Sequence, residues 1–140
     1  MSLQVDTLVV HHSASSREMT KAGVIDGWHR ENGWSQIGYH WIVEGSGFVV
    51  RGRMPWVKGA HVKGHNSHSL GICVVGDNTV PSERWVGAQV DALLILIKSI
   101  CMVFPVDQIC GHRDLAGART ECPGLDIGEL VNTRALPWAA

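Results

Sequence analysis

At 140 residues, 45% hydrophobic and 18% charged, the chain suffices for one domain with a packed core, is too short for two ordinary ones, and has a composition that excludes disorder. A formal net charge of −1 offers no clustered cationic charge for nucleic acid or an anionic membrane. The longest apolar stretch, Val86 to Phe104, is interrupted by Gln89, Asp91, Lys98 and Ser99, which excludes a spanning helix, so neither nucleic acid nor membrane is expected as a partner.

In chain order, Leu8-Val9-Val10 is a short apolar run that reads as a buried strand ending at His11 and His12. Ser13 to Ser16 is loop material. Val24, Ile25, Trp28 and His29 recur at helical spacing up to the stop at Asn32-Gly33. Gly38 to Val43 predicts a second strand, turned by Gly45-Ser46-Gly47 into Phe48-Val49-Val50 as a hairpin. Arg51 to Ser69 is a long Gly- and His-rich loop, a kind of segment that often carries function. Leu70 to Val75 reads as a central strand. Pro81-Ser82-Glu83 is expected to open the strongest helix, with Val86, Val90, Leu93, Leu94, Ile97 and Cys101 along one face. Val106 to Cys110 is a short strand entering Gly111-His112, and Asp126 to Val131 a last short helix. The expectation is a single α/β domain over residues 1–140, with a central mixed sheet flanked by helices.

The N-terminus shows no secretory signal pattern, so the expectation is synthesis in the cytoplasm. There the four cysteines, Cys73, Cys101, Cys110 and Cys122, read as free thiols or metal ligands rather than disulfides. The sharpest local feature is Gly111-His112-Arg113-Asp114 followed by Cys122-Pro123-Gly124. A His at a strand end and a Cys in the next loop can reach one point, and zinc accepts both donor types. His11, at another strand end, would make a third ligand and leave a fourth position open, the catalytic rather than the structural pattern. Spacing alone leaves this beside the reading that these residues are unrelated.

The motifs Val9-Val10-His11-His12-Ser13-Ala14, Trp28-His29, Gly33-Trp34, Ile37-Gly38-Tyr39-His40, Gly59-Ala60-His61, Gly64-His65-Asn66, Ser69-Leu70-Gly71-Ile72-Cys73-Val74-Val75-Gly76, Gly111-His112-Arg113-Asp114 and Cys122-Pro123 run in order along nearly the whole chain. Together they resemble the zinc N-acetylmuramoyl-L-alanine amidases of the phage-lysozyme type, a family that includes the peptidoglycan recognition proteins. The resemblance implies a zinc hydrolase that cuts the amide between N-acetylmuramic acid and L-alanine of bacterial peptidoglycan, with His11, His112 and Cys122 as zinc ligands. It implies Tyr39 beside the metal as an oxyanion donor, with Thr120 or His61 assisting, and Asn66 and Trp34 as substrate-binding residues. Thr120 stands where phage members usually carry lysine, and Cys73 where some relatives carry a glutamate base. His12 is read as facing the other way along the strand, and Asp114 as a partner for His112 or its loop.

Two other readings stay open at this level. One is a peptidoglycan-binding module without catalysis, whose members typically lack the cysteine ligand. The other is a structural zinc protein with His12 or Cys110 as fourth ligand. The resemblance suits a monomeric phage endolysin acting on the cell wall after release, and equally a recycling enzyme or an exported toxin.

Overall fold

The computed structural model describes residues 4–138; the outermost positions of the expected 1–140 domain lie outside the described residues. Five strands form one sheet: β1 (Thr7–His12), β2 (Trp41–Val43), β3 (Val49–Arg51), β4 (Ser69–Val74) and β5 (Gln108–Gly111), in the order β3-β2-β4-β1-β5. β1 lies between β4 and β5 and pairs parallel with both, β2 pairs parallel with β4, and β3 closes the edge antiparallel to β2. Three helices complete the fold: α1 (Ala22–Glu31), α2 (Gly87–Val103) and α3 (Ile127–Thr133). The expected α/β class and mixed sheet are what the chain adopts. Among the described residues no helix is long and apolar enough to cross a membrane.

Parallel strands buried on both faces need apolar residues pointing both ways, and β1 and β4 are buried at every position. Leu8, Val10, Leu70, Ile72 and Val74 pack with Val90, Leu93 and Ile97 of α2 and with Ile127 and Leu130 of α3. On the opposite face, Cys73 joins Ile25 of α1, Ile37 and Ile42, while Val9 meets Val62, Cys110 and Leu115.

Most elements begin and end within two residues of the expected bounds, and two depart further. β2 begins at Trp41 rather than Gly38, so Tyr39 and His40 lie in the approach to the strand. The helix expected from Pro81 is split: Pro81–Glu83 forms one 3-10 turn, and α2 starts only at Gly87. The break is made by Trp85, which turns into the core at 1% exposure and donates its indole N–H to Val74 O at 3.2 Å. Gln89 then caps the helix start by accepting the Val86 N–H at 3.1 Å. The buried stripe of α2 is Gln89, Val90, Leu93, Ile97 and Ile100; Val86 and Cys101 of the expected stripe are exposed. This helix is apolar nearly all round, so periodicity alone does not single out its inner face.

Leu93 is fully buried whereas Ile95, two residues on, is 68% exposed. Leu93→Ala is expected to lose about 2–5 kcal/mol of stability through transfer and cavity terms, and Ile95→Ala no more than about 0.5 kcal/mol. Urea denaturation of the two variants checks this.

Candidate metal centre

The site forms where parallel strands end. Val10 of β1 stands opposite Gly111 of β5, so the next residues, His11 and His112, lie side by side with ring centroids 4.9 Å apart. His11 also stands opposite Cys73 of β4. The third member returns from the loop after β5: one donor atom each from His11, His112 and Cys122 lie within 4.8 Å of one another. Among the described residues no other side chain joins this group. Cys110 is buried beside Val9 and Leu115 instead. His12 points to the opposite face, as expected, and its Nδ1 accepts the Asn78 N–H at 3.2 Å.

The cysteine is held by its surroundings. The His12 N–H donates to Cys122 Sγ at 3.3 Å, Thr120 Oγ1 accepts the Cys122 N–H at 3.1 Å, and Arg113 N–H donates to Cys122 O at 2.8 Å. Pro123 packs over β5, where a Cβ on Gly111 would lie 2.6 Å from Pro123 Cδ; only glycine allows that approach. Asn78 ties the loop to the core by donating Nδ2–H to Pro123 O at 2.8 Å and accepting the Trp85 N–H at 3.0 Å. Asp114 Oδ2 accepts the Gly111 N–H at 2.8 Å, so it serves the loop.

Burial sets the protonation states. It holds His11 well below the ordinary imidazole range, helped by the neighbouring His61 and His112. Burial lowers His112 too, and His61 to about 3. All three rings are therefore neutral near pH 7, the form in which imidazole offers a lone pair. Burial pushes the Cys122 thiol up to about 11, opposed by the His12 N–H.

Proton counting along a chain of hydrogen bonds then fixes the tautomer of His11. Ser69 donates its hydroxyl to His65 O at 2.7 Å, so at 3.2 Å it accepts from His61 Nε2. Neutral His61 is left with a bare Nδ1, which accepts from His11 Nε2 at 2.9 Å. His11 Nδ1 is consequently the free nitrogen, 3.9 Å from Cys122 Sγ.

Tyr39 packs on His11 with ring centroids 5.0 Å apart. Burial, and secondarily the thiols of Cys73 and Cys122, hold its phenol well above the ordinary value, so it is a hydrogen-bond donor. Asn66 anchors the loop, its Oδ1 accepting the N–H groups of His61 and Val62 at 3.0 Å each. Trp34 is 39% exposed and lines a groove of about 310 Å³ with His61, Val62, Lys63 and Asn66. Thr120 is exposed at the mouth of the cysteine loop. His29 accepts the Gly38 N–H and His40 the Gly71 N–H, which are structural duties. Sequence reasoning assigned no site role to Ser69 or Asn78; Ser69 lies inside a quoted motif, and Asn78 reads only as the end of the Gly76-Asp77-Asn78 turn that closes β4.

Asn78 is 3% exposed, and Asn78→Ala strands two buried polar groups, Pro123 O and the Trp85 N–H. At about 1–3 kcal/mol for each unmet group, the variant is expected to lose about 2 kcal/mol or more in urea denaturation. Amide exchange should quicken around Cys122 to Leu125.

The N-acetylmuramoyl-L-alanine amidase family model matches residues 1–125. The endolysin of Enterobacteria phage K11 is 36% identical over 132 residues, covering 91% of this chain and 85% of that protein. Among solved structures, the N-acetylmuramoyl-L-alanine amidase LysC from Clostridium intestinale URNW aligns with a TM-score of 0.84 at 27% identity, over 94% of this chain and 85% of that one. A point mutant of Drosophila PGRP-LB, solved in complex with tracheal cytotoxin, aligns with a TM-score of 0.76 at 28% identity, over 93% of this chain and 83% of that one. With its sheet, its strand-end histidines and these likenesses agreeing, the chain belongs to the N-acetylmuramoyl-L-alanine amidase family.

Proposed function

We propose that this chain is a zinc amidase that hydrolyses the bond between N-acetylmuramic acid and L-alanine of peptidoglycan, the metal being held by His11 through Nδ1, by His112 and by Cys122. The observation that carries this reading is the convergence of two neutral imidazoles and one thiol with no fourth protein donor among the described residues. Two nitrogens and a sulfur suit zinc, and three protein donors are the catalytic count. Zinc bound there would polarise the scissile carbonyl and bring the pKa of a water from the bulk value to roughly 7.

The chain's own residues supply the rest. Tyr39 keeps its phenolic proton and donates to the carbonyl oxygen as negative charge builds on it. Thr120 keeps a hydroxyl proton after accepting from Cys122 and stands as a second donor to that oxygen. His61 has both ring nitrogens committed, to His11 and to Ser69, so its role is to orient His11 rather than to meet substrate. Trp34 offers an exposed face to the substrate along the groove, and Asn66 shapes that wall through its backbone contacts. The resemblance to phage endolysins supports a lytic role, with synthesis in the cytoplasm and action on the wall after release. The likeness to a recognition protein solved with tracheal cytotoxin supports binding of a glycan-peptide fragment.

Purified peptidoglycan incubated with zinc-loaded protein should release stem peptides with a free L-alanine amine and leave the glycan intact, as read by mass spectrometry. Chelation and Cys122→Ser should each abolish the release. Binding without cleavage by the zinc-loaded protein would replace the enzyme by a recognition module, and full activity of Cys122→Ser would remove Cys122 from the ligand set.

Tyr39 and His61 should separate in kinetics. Tyr39→Phe is expected to lower kcat about 10²–10³-fold, the usual loss for one oxyanion donor, with zinc affinity unchanged. His61→Gln is expected to weaken zinc binding about 10–100-fold, as removal of a ligand's outer partner does. Competition against a chelating dye measures the affinities.

A further inference from the structure

The loop before β4 carries a second pair of imidazoles that the amidase reading does not use. His65 Nδ1 lies 3.2 Å from His68 Nε2, with the rings steeply inclined at 69° and their centroids 5.3 Å apart. The outer nitrogen of each ring faces a group that only accepts. His65 Nε2 is 2.9 Å from the Ala116 carbonyl oxygen. His68 Nδ1 is 2.8 Å from Asp6 Oδ1, and hydrogen bonds from Thr7 and His68 hold that carboxyl below its ordinary range, so it is ionised.

Both outer nitrogens therefore carry hydrogen. In two neutral rings the inner nitrogens are then both bare, and two lone pairs face each other across 3.2 Å. A cation seated between the two lone pairs resolves that opposition. Two metal–imidazole bonds of about 2.0–2.1 Å that span 3.2 Å subtend about 100° at the ion, within the range of tetrahedral coordination. A carboxylate on one outer nitrogen and a backbone carbonyl on the other are the partners that metal-binding imidazoles use. His65 and His68 are half-buried, leaving room for water to complete the coordination.

We propose that His65 and His68 form a second cation site, taking a first-row divalent ion that favours imidazole, separate from the group at His11, His112 and Cys122. Its outer contacts join three segments: Asp6 at the entry to β1, the His65–His68 loop itself, and Ala116 in the loop between His112 and Cys122. A cation there ties the loop that brings Cys122 back to the strand ends onto the opposite edge of the domain.

The test uses Ni²⁺ as probe, titrated calorimetrically into wild type, His68→Gln, His65→Gln and Cys122→Ser near pH 7.5. Wild type is expected to take two equivalents. The two His variants should each lose the second equivalent, at least 10-fold in affinity, while keeping the first. Cys122→Ser should retain the His65–His68 equivalent even as it weakens the other, which keeps this inference distinguishable from the amidase reading. Amide resonances of His65, His68 and Ala116 should broaden selectively with the second equivalent. A single equivalent in wild type overturns the proposal. A second equivalent that survives in both His variants overturns it as well, by placing the ion elsewhere.

Discussion

The parallel pairing of β1 with β4 and β5 is the constraint on which the rest of the molecule depends. Parallel strands bring their carboxyl ends to one edge of a sheet, where ligand sites of open α/β sheets gather. Here the register sets Val10 against Gly111 and His11 against Cys73. Side chains alternate along a strand, so a slip of β1 by one residue would exchange His11 for His12 at this edge and turn His11 toward α2 and α3. The apolar side chains forbid that slip: Leu8 and Val10 are committed to the α2–α3 core and Val9 to the cluster around Val62 and Leu115. The hydrophobic pattern of one six-residue strand thus decides which histidine faces Cys122.

A second constraint is that so many polar rings are buried close together. Neutral imidazoles stay in such a place only when each N–H has an acceptor and each bare nitrogen a donor where one is in reach. Among the described residues no buried side-chain nitrogen or oxygen lacks a partner. The run from His11 through His61 and Ser69 to the carbonyl of His65 is one solution. His40, taking the Gly71 N–H and facing Val57 O, is another. Glycines make room for these rings, since a Cβ on Gly71 would lie 2.7 Å from the His61 ring and one on Gly59 2.8 Å from His40 Cε1. The irregular segment between β3 and β4 is therefore ordered by its histidines, and the same bonds that order it set the tautomer of His11.

Much of this was legible in the sequence where the physics is local. The apolar run at Leu8-Val9-Val10, the Gly-Ser-Gly turn between β2 and β3, and Asp126 capping α3 by accepting the Glu129 N–H all follow from period and turn chemistry. The start of α2 did not, because Trp85 leaves the helical pattern to bond Val74 O, a partner eleven residues away that no local signal reveals. The inner face of α2 was blurred by apolar residues on every side. At the candidate metal centre the histidines and the cysteine could be named from motif resemblance, but the use of both nitrogens of His61 and the tether made by Asn78 exist only once strands and loops have met.

The scaffold is shared by proteins named for hydrolysis and by others named for recognition, so the fold by itself does not choose between the two activities. The treatment of Cys122 bears on that choice. Burial alone favours the thiol, yet the backbone N–H of His12 is aimed at Sγ and pulls toward the thiolate, the form a metal requires. Three further bonds, through Thr120, Arg113 and Asn78, fix the loop on either side of it. A buried N–H needs an acceptor in any domain, but here the acceptor is the one sulfur that also lies beside His11 and His112. That directed bond, more than the presence of a cysteine, favours the hydrolytic reading, because it stabilises the one protonation state that matters only when a cation is close by.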